Sequence, residues 1–223
     1  MHSELLKRVP LFEELSEGEL EALSHVALLR TFPKDRVVIM AEEEGDSLFV
    51  IHDGQVKVSI VSEDGREVIL SILGEGNFFG EMSLLDGHPR SANVTTTQAT
   101  ELLMVRRADF LRFIQKSPQT AIKLLSVLAS RLRITDRKIE GLALSDVTGR
   151  ISQTLLQLAD EQGVATQEGV LIRDRPTHQD LANMSGTTRE TVSRILKRLE
   201  NQGYIVPRGR DLLIVGTDLK NQG

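Results

Sequence analysis

The sequence predicts an α+β chain built from a small antiparallel β-roll, one long helix and a helix-turn-helix with a two-stranded wing. Three observations carry that expectation. Short β-branched runs broken by glycine-bearing turns recur between Val37 and Val105. A helical apolar period takes over from Pro118, and two helical stretches flank a tight glycine turn at residues 183–187 before two last strand-like runs. The expected parts are residues 1–117, 118–145 and 146–223.

Composition sets the outer limits. A chain of 223 residues suits two domains, each large enough to bury a core of its own. Cysteine is absent, which removes disulfides, zinc–thiolate sites, cysteine-ligated iron–sulfur clusters and thiol nucleophiles together. No apolar run reaches membrane-spanning length, and Met1 to Arg8 lacks the basic-then-hydrophobic order of a signal peptide. A cytoplasmic protein with no membrane partner is therefore expected. The net charge of −5 is unevenly spread: residues 1–145 hold 17 Lys and Arg against 22 Asp and Glu, whereas residues 146–223 hold 10 of each. Across residues 187–198, Arg189, Arg194, Lys197 and Arg198 are opposed only by Glu190, so a basic face sits inside a neutral segment.

The chain opens with a short amphipathic stretch at Leu11-Phe12 and residues 20–26. Strands are expected at 37–40, 47–52, 55–61, 67–72, 91–97 and 100–105, with turns at 44–46, 53–54 and 63–65. Helices follow at 109–115 and from Pro118 to about Leu144. Residues 142–146 read as a hinge in which Asp146 caps a new helix running through Ile151, Leu155, Leu156 and Leu158. Residues 161–168 read as a polar loop and 170–172 as a short strand. The helix pair is expected at 177–182 and 188–201, the wing at 204–206 and 212–215, and a frayed tail at 218–223.

Residues 80–92 place glycines, one acid, one arginine and one hydroxyl in a turn-rich segment between apolar strands. Glycines let backbone N–H groups converge on an anion; Arg90 supplies a planar donor fork, Ser91 a hydroxyl, and Glu81 an acceptor suited to a sugar hydroxyl. Together they describe a nucleotide with one phosphate and one ribose edge.

On the long helix, Leu125, Leu128, Leu132, Thr135, Ile139 and Leu142 follow alternating steps of three and four, the seam of a two-stranded coiled coil. A helix packed on its own β domain shows a similar stripe. Charges on both sides of this narrow one, Arg131, Arg133, Asp136, Arg137, Lys138 and Glu140, favour a homodimer. In the last helix pair, Val192, Ile195, Leu196 and Leu199 share one face while Arg189, Glu190 and Arg194 share another. Arginine forks suit guanine O6 and N7, a carboxylate accepts from cytosine N4, and Thr188 and Thr191 suit backbone phosphates of double-stranded DNA. A charged helix face is also the ordinary condition of a solvated helix.

With phosphate turn, dimer helix and reading helix in that order, the chain resembles the cyclic AMP receptor protein family, also called catabolite activator proteins, within the wider group that includes the fumarate–nitrate regulators. The resemblance runs from about Leu11 to Thr217. Residues 146–151, DVTGRI, together with 189–192, RETV, and 194–197, RILK, are similar to the receptor branch in particular. It implies an N-terminal cyclic-nucleotide-binding β-roll, a long dimerisation helix and a C-terminal DNA-binding winged helix-turn-helix. It also implies an allosteric cyclic nucleotide ligand, RNA polymerase as a partner, and no enzyme activity.

Carried over by position, Arg90 and Ser91 match the phosphate ligands, Glu81 the ribose acceptor, and Gly80, Glu81, Met82 and Ser83 the supporting backbone. Thr135 matches the residue that reaches the adenine amino group. The adjoining base-contacting position, a serine in the best-known receptor, is Asp136 here. A carboxylate accepts from an adenine N6 amino group and equally from the N1–H and N2 donors of guanine, so cyclic AMP, cyclic GMP and cyclic di-GMP all stay open. Pairing of Asp136 with Arg133 on the same helix is the purely structural alternative. Arg189, Glu190 and Arg194 match the base-reading trio, which implies palindromic TGTGA-like half-sites. His178, Thr188, Thr191 and Val147 match backbone-contacting positions; His178 replaces an arginine, which makes that contact pH-sensitive. The loop at residues 162–169 corresponds to the polymerase-facing one but departs in length and composition, leaving activation and repression open.

Three rival readings draw on residues of the same chain. A haem-based gas sensor would use His25, His52 or His88, yet a haem pocket gives the Arg90–Ser91 pair nothing to do. A ligand-independent regulator would lack that pair. A metal-assisted cyclic nucleotide hydrolase would draw on Glu81, Asp86 and His88, too few ligands at metal spacing, so neither a metal site nor a catalytic residue is expected.

Overall fold

The computed structural model describes residues 6–7, 9–13 and 15–216, so the tail expected at 218–223 lies outside the described residues. The chain divides into two compact units, Met1–Arg133 and Ile134–Gly223.

The first unit begins with α1 (Glu17–Val26), opened by a capping box in which Ser16 and Glu19 satisfy each other's backbone N–H groups. Eight strands follow: β1 (Leu28–Phe32), β2 (Val37–Ile39), β3 (Ser47–Asp53), β4 (Val56–Val61), β5 (Glu67–Leu73), β6 (Phe78–Phe79), β7 (Asn93–Thr96) and β8 (Thr100–Arg106). A short helix α2 (Glu81–Asp86) interrupts them, and α3 (Arg107–Lys116) and α4 (Pro118–Leu144) come after. The strands form two antiparallel four-stranded sheets, β1-β8-β3-β6 and β2-β7-β4-β5. Between them lie Ile39, Phe49, Ile51, Val56, Phe79, Val94 and Leu102. On the outer face of the first sheet, Leu48, Val50, Leu103 and Val105 meet Leu20, Leu23, Phe110 and Leu124 from the helices. β3 is thus covered on both faces, which is why it reads as an unbroken apolar run rather than an alternation.

Four elements depart from expectation. β1 is largely exposed and shows no alternation, β6 has only two residues, and the segment expected to be turn-rich contains α2, whose flanking Gly80 and Gly87 disguise a six-residue helix. The polar loop expected at 161–168 contains a strand, β9 (Gly163–Thr166), whose pairing with its neighbour rather than its composition makes it one.

In the second unit α5 (Val147–Gln162) starts at Asp146, whose side chain accepts from the Gly149 N–H at 2.7 Å. Then come β9, β10 (Gly169–Ile172), α6 (His178–Ser185), α7 (Arg189–Asn201), β11 (Ile205–Arg208) and β12 (Asp211–Val215). Thr177 caps α6 through a capping box with Asp180, and Gly186 ends it. The wing expected as two strands is a four-stranded sheet, β11-β12-β10-β9. Its core joins Ile151, Leu155 and Leu158 of α5 to Leu181, Val192, Ile195 and Leu196 of the helix pair and to Ile172, Ile205 and Leu212 of the sheet.

Candidate functional site

β6 pairs with β3 through Phe79 opposite Phe49, whose rings stack at 5.3 Å, and the chain then turns at Gly80 into α2. Gly80 has φ of +83°, and a Cβ there would fall 2.6 Å from Arg90 Nη1. The turn therefore needs glycine twice over, for its backbone and for its neighbour. Arg90 is 7 % exposed. Its Nη1 donates to Gly80 O at 2.7 Å and to Ser83 Oγ at 3.0 Å, and its Nη2 donates to Ser47 O at 2.8 Å. A guanidinium carries five N–H donors, so the Nε–H and one Nη2–H are left for an anion. Gly45 lies against the Nε edge; a Cβ there would come within 2.6 Å of Nε and 2.3 Å of Ser83 Oγ, so its absence keeps that edge clear. Burial pulls the Arg90 pKa down, while the charges of Asp46 and Glu81 work the other way. The backbone of Arg90 is pinned as well, with its N–H on Glu43 O at 2.8 Å and its carbonyl accepting from Glu42 N at 2.9 Å.

Glu81 is 3 % exposed and Ser83 is buried, whereas Met82 and Ser91 face outward. The carboxylate of Glu81 accepts from Arg131 Nη1 at 2.7 Å. Arg131 also donates through Nη2 to Phe78 O, and its guanidinium sits 4.7 Å above the Phe78 ring. One carboxylate oxygen of Glu81 is thereby held in place.

Thr135 and Asp136 lie exposed on α4, and Asp136 has no ion-pair partner among the described residues. Of the expected seam, Leu125, Leu132, Ile139 and Leu142 are 60–65 % exposed, while Leu128 is partly buried against the first unit's core and Thr135 interrupts the apolar positions.

In the second unit, α7 buries Val192, Ile195 and Leu196 and exposes Arg189, Glu190 and Arg194, none of which forms an ion pair among the described residues. Thr188 caps this helix: its hydroxyl accepts from Thr191 N–H at 3.3 Å and donates to the Thr191 hydroxyl at 3.1 Å. His178, the first residue of α6, shares a 2.7 Å hydrogen bond between Nδ1 and Ser193 Oγ of α7. Burial, then the charges of Arg175 and Arg189, hold its pKa below the usual histidine value. Val147 opens α5 and packs on the unit's core. No three His, Asp or Glu side chains converge as metal ligands among the described residues, and no described helix is long and apolar enough to cross a membrane.

Residues 29–117 match the cyclic nucleotide-binding domain family, and residues 149–220 match the Crp-like helix-turn-helix domain. The cAMP-activated global transcriptional regulator CRP of Salmonella typhimurium is 39 % identical over 197 residues, 87 % of this chain and 92 % of that protein. The CRP-like cAMP-activated global transcriptional regulator of Mycobacterium tuberculosis is 35 % identical over 213 residues, 95 % of this chain and 94 % of that one. The chain belongs to the CRP family of transcriptional regulators. Among solved structures, the c-di-GMP responsive global regulator CLP of Xanthomonas campestris superimposes with a TM-score of 0.75 at 29 % identity, covering 91 % of this chain and all of that one. The catabolite activator protein of Thermus thermophilus gives a TM-score of 0.55 at 34 % identity, covering 92 % and 93 %. This CRP-family chain is accordingly a cyclic-nucleotide-responsive transcription regulator.

Within that CRP-family frame, sequence reasoning missed two arginines. Arg131 reads in the sequence as one flanking charge of the seam; its distance of 50 residues from Glu81 leaves no local signal for the pair they form. Arg150 donates through Nε to Ser185 O at 2.9 Å and through Nη1 to Ser145 O at 3.0 Å, tying the helix-turn-helix turn to the residue before Asp146. Only its position inside the DVTGRI segment pointed to it.

Proposed function

We propose that the chain is a homodimeric regulator that binds cyclic AMP and, in response, reads palindromic TGTGA-like sites in double-stranded DNA. The observation that carries the ligand reading is Arg90: a cation 7 % exposed, fixed by three protein acceptors, with two donors left over and its Nε edge left uncrowded by Gly45. A fixed, desolvated fork of this kind suits a cyclic phosphate, with Ser91 adding a hydroxyl and Glu81, steadied by Arg131, accepting from the ribose. The relatives named as cAMP-activated support adenine as the base, contacted by Thr135 and Asp136 of paired long helices. The exposed stripe of Leu125, Leu132, Ile139 and Leu142 supports pairing with a second copy. Arg189, Glu190 and Arg194 read base edges while His178, Thr188, Thr191 and Val147 hold the backbone. The hairpin of β9 and β10 is the surface offered to RNA polymerase. Nucleotide and DNA affinities are coupled reciprocally.

A guanine ligand is the second reading, favoured by Asp136 and by likeness to a regulator named as c-di-GMP responsive. Titration calorimetry of nucleotide-stripped protein with cyclic AMP, cyclic GMP and cyclic di-GMP separates the two. Preference for cyclic AMP supports the first reading, preference for a guanine nucleotide makes Asp136 the determinant, and heat from none of them removes both. Arg90→Ala is expected to abolish the response while leaving the dimer folded.

A further inference from the structure

The seam of α4 fixes a heptad register along one continuous helix, Pro118–Leu144. Leu125, Leu132 and Ile139 take the a positions and Leu128, Thr135 and Leu142 the d positions, which sets Leu124, Arg131 and Lys138 at g and Ala129, Asp136 and Ala143 at e. Between two parallel copies in register, a g residue meets the e residue five positions further along the other chain. Leu124 is buried in the first unit's core, and Lys138 falls opposite Ala143, which offers no acid. Arg131 falls opposite Asp136. Two-fold symmetry repeats that pair of opposite charges on the other side of the seam. An antiparallel arrangement sets g against g, where the charged residues are Arg131 and Lys138, both cations, so the charges favour the parallel one.

A single copy cannot make the pair. Five residues carry an α-helix about 140° past a full turn, so Arg131 and Asp136 lie on different faces of their own helix. The neighbour within reach of Asp136 on α4 is Arg133, three residues away, yet neither forms an ion pair among the described residues, and Asp136 is exposed. Arg131, in contrast, is already fixed. It donates to Glu81 at 2.7 Å, rests over the Phe78 ring, and keeps its side chain 30 % exposed. An exposed ion pair is weak chiefly because two long side chains must be ordered to form it, and here the arginine has lost that freedom beforehand. We propose that Asp136 of a second copy takes the Arg131 guanidinium, so that Glu81, Arg131 and Asp136 form one bridge that sets the parallel register of the dimer beside the nucleotide turn. The contact rests on the homodimer reading above and adds to it the residue that the second copy contributes. Since a carboxylate has two oxygens, it leaves one for a nucleotide base.

Native mass spectrometry of the nucleotide-stripped full chain, reading how subunits of two variants sort after exchange, tests it. Arg131→Glu alone sets acid against acid across the seam, and Asp136→Lys alone sets cation against cation. Only the mixed dimer holds opposite charges in both places. It is expected to rise from the roughly one half of random sorting to about four fifths at about 0.05 M salt, and to fall back towards one half at about 0.5 M. Random sorting of two folded variants at low salt would overturn the contact. Thermal melts monitor folding, because Glu81 faces the substituted position; should Arg131→Glu not fold, Arg131→Gln takes its place with a smaller excess of mixed dimer expected, and random sorting again overturns the contact. A wild-type chain that is monomeric at every concentration would instead remove the homodimer reading, and this contact with it.

Discussion

Arg131 reaches Glu81 across 50 residues of sequence, donating from Nη1 to the carboxylate at 2.7 Å while its guanidinium rests 4.7 Å above the Phe78 ring. The helix that carries Arg131 is thereby tied to the acid beside the proposed phosphate cradle. A buried carboxylate deprived of its cation is costly. With the Arg131 side chain 30 % exposed, Arg131→Ala is expected to lower stability by about 1–3 kcal/mol after allowance for solvent screening, read by urea unfolding. Nucleotide affinity falls with it. Adding Glu81→Gln to that variant restores part of the stability and none of the affinity; full recovery of nucleotide binding would deny Glu81 a role as ribose acceptor.

Gly80→Ala sets a Cβ 2.6 Å from Arg90 Nη1 at a residue whose φ is +83°. Backbone strain of about 1–3 kcal/mol is expected, together with displacement of the guanidinium. Thermal melting and nucleotide calorimetry are both predicted to fall. A variant that melts lower but binds nucleotide normally would show that Arg90 tolerates the shift.

Arg194→Ala is expected to relax base preference by about 1–3 kcal/mol at one position of each half-site, with nucleotide affinity unaltered. Competition binding with single-base-substituted duplexes reads it. Equal weakening on every sequence would make Arg194 a phosphate contact instead.

His178 supplies the pH dependence. Burial, followed by the charges of Arg175 and Arg189, lowers its pKa from 6.5, so the unfolded chain takes up a proton that the folded chain resists. Its stability contribution is present above 6.5 and is lost as pH falls through the folded value. DNA phosphate has the opposite preference and favours the cation. Between about pH 7.5 and about pH 5.5, duplex affinity is expected to rise while the melting temperature falls. His178→Asn is expected to flatten both trends; a duplex affinity that still rises in that variant would assign the proton elsewhere.

Periodicity and turn chemistry were enough to read most of the fold. The long helix, the Asp146 cap and the apolar face of α7 follow from spacings within one segment, and strands β3, β4, β5 and β8 declare themselves by composition, whereas Thr188, read as the first helical residue, is the cap that precedes α7. Strands β1, β6 and β9 do not, because each is defined by its partner: Leu28–Phe32 by β8, Phe78–Phe79 by β3 and Gly163–Thr166 by β10. Helix α2 is hidden by glycines at both ends.

The site divides in the same way. The sequence by itself determined that an arginine, a hydroxyl and an acid share one glycine-rich segment, and that Arg189, Glu190 and Arg194 share one helix face, since both are local relations. Only the tertiary structure decided that Ser47 O, Gly80 O and Ser83 Oγ hold Arg90 and that Arg131 holds Glu81. Those relations join residues from 7 to 50 positions apart through sheet pairing and helix packing. No local spacing encodes them, because the free energy that selects them is that of the assembled core.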